Sequence, residues 1–139
     1  QAKQAADLHT PGFNQRVAYE VIRAGLLDKH LPMVRAMYKT QRDAMRDALH
    51  KHLPDGCRFN VPAGGMFFWV ELPAGLDTRT LLPRAVDAGM AYVPGAPFYC
   101  RDARANTLRL SFVTVAPPEI DKGVAALGRV LAEALQQQR

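Results

Sequence analysis

The chain has 139 residues, of which 48% are hydrophobic and 22% are charged. This composition is typical of a globular domain that buries one core, and it excludes disordered, fibrous and disulfide-built proteins. The formal net charge is +5, but the sequence contains no basic stripe interleaved with aromatic residues, so we expect no nucleic-acid partner.

The cysteines and the ends of the chain indicate the compartment. Cys57 and Cys100 form no CxxC motif, and no histidine or acidic cluster at metal-ligand spacing accompanies them, so we expect free thiols and no metal. No apolar run approaches the roughly 20 residues that cross a bilayer, and residues 1–4 lack the core of a signal peptide. We therefore expect a cytoplasmic protein without a membrane partner. A start without methionine, inside an uncapped helix-like stretch, predicts a piece of a longer chain.

Two helices are predicted in the first part of the chain. Residues 12–28 carry a roughly helical apolar pattern, and a second helix is predicted with Pro32 in its first turn and a stop at 53–56. On the second helix, charges of both signs share one face, which we interpret as solvated: Arg42, Asp43, Arg46 and Asp47.

The middle of the chain predicts antiparallel strands. A strand near 58–61 is followed by the breaker 62–65 and by a strongly β-prone strand at 66–72, and we expect a tight glycine turn between them. A third strand is predicted at 107–114. The connection between the first two strands is too short for a parallel crossover.

The remaining elements complete an α+β domain. Asp77 and Thr78 predict the start of a helix that closes at Gly89, a short extended piece follows at 91–93, and a last helix begins near Pro117 and reaches the chain end. The order of elements predicts a two-layer α/β sandwich, in which helices cover one face of a small, mostly antiparallel sheet.

The strand at 107–114 carries the strongest functional candidate. Strict alternation places Leu108, Leu110 and Phe112 on the core face and aims Arg109 away from it. A guanidinium matches a carboxylate in two parallel hydrogen bonds, so an arginine on a rigid strand suits an acidic ligand. From the alternation alone, an arginine paired with a neighbouring acid is the more common situation.

Other candidates are weaker when taken alone. The glycines at 64–65 permit close backbone approach to a ligand but also suit a plain hairpin turn. Aromatic side chains at 67–69 suit a pocket wall, although an aromatic strand more often belongs to the core. The histidines form no pair with a nearby nucleophile, and no glycine-rich phosphate loop is present.

Three segments together resemble one family. PAGGMFFWVEL at 62–72, GMAYVPGAPFY at 89–99 and NTLRLSFVTV at 106–115 are similar, in order and spacing, to fold-type-I aminotransferases of class I/II. The branch that acts on 2-aminoadipate, aromatic and branched-chain amino acids is the most similar. The resemblance covers essentially the whole chain and implies the small domain of an aspartate-aminotransferase-like protein, with residues 1–28 continuing from a missing large cofactor domain and 29–139 forming the C-terminal small domain.

The resemblance also implies roles for particular residues. Arg109 matches the arginine that binds the α-carboxylate of the substrate, Gly65 and Met66 match the glycine turn near the substrate side chain, and Phe98 matches a loop residue that helps to close the site. The family's Schiff-base lysine lies in an S-x-S-K-like segment, and no lysine of this chain has that context. We therefore expect no catalytic residue here and no pyridoxal phosphate bound to this chain alone.

The resemblance implies a parent enzyme that moves an amino group between an amino acid and a 2-oxo acid through pyridoxal phosphate, as a homodimer. Three alternatives remain: the effector-sensing domain of a winged-helix transcription regulator, a lyase or synthase on the same scaffold, and a free-standing binding module. The regulator would use Arg109 in the same way, so the two main hypotheses share one site.

Overall fold

A computed structural model describes residues 2–138. Gln1 and Arg139 lie outside the described residues. They are the outer ends of the predicted segments 1–28 and 29–139, and Arg139 also ends the last predicted helix. The chain separates into two compact units, residues 1–37 and residues 38–139.

The first unit is helical. It contains α1 (Ala2–Asp7), α2 (Gly12–Arg23) and the beginning of α3 (Leu26–His52). Helix α2 has no buried residue. Its apolar side chains are instead exposed: Phe13, Val17, Tyr19, Val21 and Ile22.

The predicted position of the boundary between the first two predicted helices is wrong. The helix predicted at 12–28 ends at Arg23, and α3 begins at Leu26, so Pro32 lies inside α3 instead of in its first turn. Gly25, whose φ is +67°, separates the helices, since a residue in the left-handed region ends a helix. An interior proline removes one hydrogen bond but keeps a helical φ, so the helix continues through it.

The second unit is built on a four-stranded antiparallel sheet. Its strands are β1 (Arg58–Phe59), β2 (Phe67–Glu71), β3 (Val93–Pro94) and β4 (Thr107–Ser111), in the order β1-β2-β4-β3. All three predicted strands are found with shorter ends, and β3 corresponds to the predicted extended piece. Because β4 lies between β2 and β3, side chains from both neighbours can reach those of β4.

The connection between β1 and β2 differs from the prediction of a tight turn. The register pairs Arg58 with Glu71 and Phe59 with Val70, so residues 60–66 form a wide loop. Met66 anchors the end of this loop, because its carbonyl oxygen accepts a hydrogen bond from the Phe112 N–H at 3.2 Å. The prolyl and glycyl residues of the loop do not close a two-residue hairpin.

Helices cover one face of the sheet. The N-terminus of α4 (Thr78–Asp87) is capped by the Asp77 side chain, which accepts a hydrogen bond from the Arg79 N–H, as predicted. Helix α5 (Pro117–Gln136) has Ala116 at its N-cap, without a side-chain cap. The core joins these helices and the later part of α3 to alternate residues of β2 and β4, and its fully buried members include Leu49, Phe68, Val70, Leu108, Leu110, Val124, Leu127 and Leu131.

The predicted fold class is confirmed. The second unit is an α+β domain with a small antiparallel sheet and a helical layer. On the other sheet face Thr107 is buried, whereas Phe67, Trp69, Arg109 and Ser111 stay partly or largely exposed. None of the helices within residues 2–138 is both long and apolar enough to cross a membrane.

Two glycines of α5 allow a matched test of the packing between α5 and the end of α3. A Cβ at Gly128 would lie 2.2 Å from the His52 carbonyl oxygen, whereas at Gly123 it would meet only the Met90 sulfur, at 3.0 Å. Gly128→Ala should therefore lower the free energy of unfolding by roughly 1–3 kcal/mol. Gly123→Ala should leave the free energy of unfolding within about 1 kcal/mol of wild type or raise it, because alanine favours a helix. Equal effects of the two substitutions in chemical denaturation would contradict this packing.

The charged residues of α3 that were predicted to be solvated form an ion cluster around one carboxylate. Only Asp47 is exposed, whereas Arg42, Asp43 and Arg46 are half-buried. Asp43 accepts hydrogen bonds from Lys39 at 2.8 Å and from Arg42 at 2.7 Å, and Arg46 lies 3.5 Å away. The hydrogen bonds from Lys39 and then Arg42 hold the pKa of Asp43 at about 2. This carboxylate is therefore ionised in the folded protein at pH values where it would be protonated in the unfolded chain.

This pKa predicts a pH-dependent effect of Asp43→Asn. A pKa lower in the folded state stabilises the fold above the unfolded pKa, and the contribution disappears as the pH falls through the folded value. The variant should be less stable than wild type at neutral pH, and the difference should shrink between about pH 4 and pH 2. Urea denaturation at several pH values measures this stability difference, with Asp55→Asn as the control. A difference that does not change with pH would show that the ion pairs do not cause it.

Candidate functional site

Strand β4 aims Arg109 away from the core. Leu108 and Leu110 are buried against the helices, whereas Arg109 between them is half-buried on the opposite sheet face. The register places Arg109 opposite Trp69 of β2 and opposite Val93 of β3, so these three side chains share that face. We call this surface, with Phe67 and Phe98, the open face.

The guanidinium of Arg109 contacts two phenyl rings. Its central carbon, Cζ, lies 4.1 Å from the ring centroid of Phe67 and 4.6 Å from that of Phe98. Phe67 belongs to β2, and Phe98 lies in the turn that follows β3, so the two rings reach Arg109 from opposite sides of β4. Cation–π contacts of this kind are worth about 0.5–2 kcal/mol each.

Arg109 has no acidic partner within residues 2–138. No hydrogen bond or ion pair to a carboxylate is formed, and its Nε is a buried donor without an acceptor. Leaving such a donor unpaired costs about 1–3 kcal/mol, so proteins rarely retain one without a reason. The more common situation for an arginine on a strand, pairing with a neighbouring acid, therefore does not occur here.

The acid nearest along the sheet is already engaged. Glu71 lies opposite Thr107 in the register, diagonal to Arg109. Its Oε1 accepts a 2.7 Å hydrogen bond from Arg58 Nη2 and a second, short one from Arg104. The hydrogen bonds from Arg58 and then Arg104 lower the pKa of the Glu71 carboxyl below its usual range, so it stays ionised and bound to them. Glu71 is thereby bound to two other arginines instead of to Arg109.

A close backbone approach places Phe98. The Gly95 N–H donates a 2.7 Å hydrogen bond to the Thr107 carbonyl oxygen, and a Cβ on Gly95 would lie 2.2 Å from the Thr107 Oγ1. Only glycine fits this contact without displacing one of the segments. The 3-10 turn Ala96–Phe98 follows directly. The ring of Phe98 packs edge-to-face on that of Trp69, with 5.8 Å between the ring centroids. The loop thus brings the ring of Phe98 over Arg109.

The other two predicted site residues lie just before β2. Gly65 is exposed, with a φ of +81°, and a Cβ there would meet no atom within 4 Å. Met66 is exposed and precedes Phe67. Of the predicted site residues, the structure therefore brings Arg109 and Phe98 into contact. The residue at the start of β2 that contacts Arg109 is Phe67, which follows Met66. The proposed nearness of Gly65 and Met66 to a substrate side chain stays a prediction.

The aromatic strand contributes to both faces of the sheet. The sequence left residues 67–69 open to two interpretations, a pocket wall or, more commonly, the core; only Phe68 is buried there, and Phe67 and Trp69 lie on the open face. The signal was present in the sequence, because Phe68 and Val70 alternate with Phe67 and Trp69 in the same way as Leu108 and Leu110 alternate with Arg109. Applying the alternation to both β2 and β4 predicts that aromatic side chains lie beside Arg109.

The described residues offer neither an activated nucleophile nor a metal site. Lys3, Lys39, Lys51 and Lys122 are exposed and each is paired with a carboxylate. Cys57 and Cys100 are free, and burial raises the pKa of Cys57 to about 11, which keeps it a thiol. No group of three potential metal ligands occurs in the part of the chain that the structure describes.

Comparison with known proteins finds aminotransferases that are similar to this chain. An aromatic-amino-acid aminotransferase of Thermococcus litoralis is 42% identical over 98% of the chain and 33% of its own length. The solved α-aminoadipate aminotransferase of Thermus thermophilus, complexed with N-(5'-phosphopyridoxyl)-L-leucine, is 43% identical and superposes with a TM-score of 0.87 over 99% of the chain and 35% of its own. A multiple-substrate aminotransferase of Thermococcus profundus gives 41% identity and a TM-score of 0.90, over 98% and 34%. No family model matches the chain.

These similarities agree with the three sequence segments. Over nearly its whole length the chain is similar to part of fold-type-I, pyridoxal-phosphate-dependent aminotransferases. It spans about a third of the length of the relatives it matches.

Regulatory proteins are also similar, at lower identity. A helix-turn-helix transcriptional regulator of Bacillus subtilis, itself uncharacterised, is 28% identical over 94% of the chain and 27% of its own length. The similarity to aminotransferases is stronger, and it does not favour the regulator alternative.

The unpaired state of Arg109 predicts that it contributes little to stability. In Arg109→Met, the lost ring contacts are offset by removal of the unpaired Nε, so the free energy of unfolding should stay within about 1 kcal/mol of wild type. Leu110→Ala, one residue along the same strand, should cost about 2–5 kcal/mol because its side chain fills the core. Thermal and chemical denaturation compare the two variants. A loss in Arg109→Met as large as that in Leu110→Ala would indicate a structural role for the arginine.

Proposed function

We propose that the protein carrying this chain is an aminotransferase that moves an amino group between an amino acid and a 2-oxo acid, and that Arg109 anchors the substrate α-carboxylate. The observation that carries the proposal is the guanidinium of Arg109, which has no acid partner within residues 2–138. The relatives support the reaction class, since they are named aminotransferases at 41–44% identity.

The anchor follows from the chemistry of the guanidinium. A carboxylate forms two parallel charge-assisted hydrogen bonds with the planar fork, which fixes both the position and the orientation of the bound acid. Arg109 projects from the central part of a sheet, so its backbone is held on both sides by hydrogen-bonded strands. The rings of Phe67 and Phe98 exclude water from its faces and thereby strengthen the ion pair. An α-amino acid and its 2-oxo acid product share this carboxylate, so one anchor serves both.

The residues of this chain do not attach the cofactor. When bound, pyridoxal phosphate supplies the electron sink for removal of the α-proton. The lysines here are exposed instead of buried beside a site, and four of the five are neutralised by carboxylates. We propose that cofactor attachment belongs to the part of the relatives that this chain does not span. The chain alone would then be inactive.

The proposal extends to domain organisation and partners. We propose that residues 29–139 act as the small domain and residues 1–28 continue from a cofactor-binding domain. We further propose a homodimer in the cytoplasm that binds neither nucleic acid nor membranes. The two free cysteines suit a reducing compartment. Under the regulator alternative, the same anchor would hold an effector acid without amino transfer.

Steady-state kinetics of the complete protein test the proposal. Arg109→Gln should lower kcat/KM for amino transfer by about 10²–10³-fold, because removing one partner of a hydrogen-bonded ion pair costs 2–5 kcal/mol. Arg84→Gln is the control, since Arg84 pairs with Glu133 on the helical side, and its activity should stay within about twofold of wild type. Full activity in Arg109→Gln would refute the anchor, and specific DNA binding without amino transfer by the wild type would favour the regulator.

A further inference from the structure

The burial of Nε determines which edge of the Arg109 guanidinium can meet a ligand. Nε is buried and has no acceptor among the described residues, while the residue as a whole remains half-exposed. An oxygen from solvent therefore reaches the terminal nitrogens, Nη1 and Nη2, before it reaches Nε. The edge that carries Nη1 and Nη2 is thus the one available for a bidentate carboxylate.

The rings of Phe67 and Phe98 lie outside the core of this chain. Phe67 is 38% exposed and Phe98 is 48% exposed, although the adjacent core holds Phe68 and Phe112 fully buried. Cation–π contact with the same guanidinium is the interaction that both exposed rings share. A side chain as flexible as arginine adopts many rotamers in water, so two rings that hold its plane reduce the entropy lost on binding.

Phe67 is the more firmly held of the two rings. It lies in β2, opposite Ser111 and diagonal to Arg109 in the register, whereas Phe98 lies in a 3-10 turn. Its Cζ-to-centroid distance is also the shorter one, 4.1 Å against 4.6 Å. Sheet hydrogen bonds fix the position of Phe67 without a ligand, so its ring can set the orientation of Arg109 before the acid arrives.

We propose that Phe67 is a positioning residue, whose ring holds the Arg109 guanidinium so that Nη1 and Nη2 face a substrate carboxylate end-on. This inference rests on the proposed function of Arg109 as the anchor. Phe67 acts through Arg109 and makes no polar contact of its own, so its effect must vanish when the guanidinium is absent.

Calorimetric titration of the complete protein with 3-phenylpropanoate, a carboxylate without an amino group, tests this dependence. Phe67→Leu should weaken binding about 5- to 20-fold, the loss expected for one desolvated cation–π contact. Phe67→Tyr keeps the ring and should stay within about twofold of wild type. In the Arg109→Gln background, Phe67→Leu should produce no further loss, whereas a general packing defect would weaken binding in both backgrounds.

A matched control separates ring loss at the site from ring loss elsewhere. Phe59→Leu removes a phenyl ring from β1 that packs on Phe68 and the core instead of on Arg109. It should leave the dissociation constant within about twofold of wild type. Phe67→Met is a second test of the same contact, with a flexible apolar side chain in place of the ring, and should weaken binding like Phe67→Leu.

Two other results would overturn the inference, and they differ in their cause. If Arg109→Gln abolishes binding but Phe67→Leu and Phe67→Met bind like wild type, the anchor stands and the positioning role of Phe67 is wrong. If Arg109→Gln itself binds like wild type, the anchor fails, and the proposed function loses its support together with this inference.

Discussion

A guanidinium without an acidic partner among residues 2–138 is the feature on which the candidate site depends. Arg109 is held between two phenyl rings, and its Nε is buried without an acceptor within residues 2–138. A charge in this setting costs free energy in the absence of a partner, and a carboxylate bound at Nη1 and Nη2 would offset the part of that cost that comes from the unpaired charge. The same arrangement contributes little to the stability of the fold.

The surrounding structure keeps Arg109 available. Arg58 and Arg104 both bind Glu71, so the acid on the diagonal of the sheet does not turn toward Arg109. The contact of Gly95 with Thr107 brings the turn that carries the second ring close to β4. Packing on one sheet face forms the core, while Arg109 and the two rings lie on the open face. This division explains how a rigid strand can present a charged side chain without pairing it.

Strand alternation made Arg109 and the layer structure predictable from the sequence. Leu108 and Leu110 marked the core face, and the structure confirms them as buried. The Asp77 cap of α4 was also predictable, because it depends on contacts within one turn. The boundary near Gly25 was missed because Pro32 was taken as the stronger signal, although a positive φ ends a helix more decisively than an interior proline.

What the sequence did not predict depends on contacts between distant segments. The width of the β1–β2 loop follows from a register that pairs Arg58 with Glu71, and no local turn signal encodes that pairing. The contact between Phe98 and Arg109 requires β3 to lie beside β4, which the residue order alone leaves open. The engagement of Glu71 by two arginines is likewise a property of the assembled sheet. Alternation predicts directions of side chains, but only the fold supplies their neighbours.

A crystal structure of the complete protein with a bound carboxylate tests the central claim most directly. The account predicts both carboxylate oxygens at about 2.7–2.9 Å from Nη1 and Nη2 of Arg109, with both rings still in contact with the guanidinium. A carboxylate bound elsewhere, with Arg109 paired to an acid of the protein itself, would contradict it.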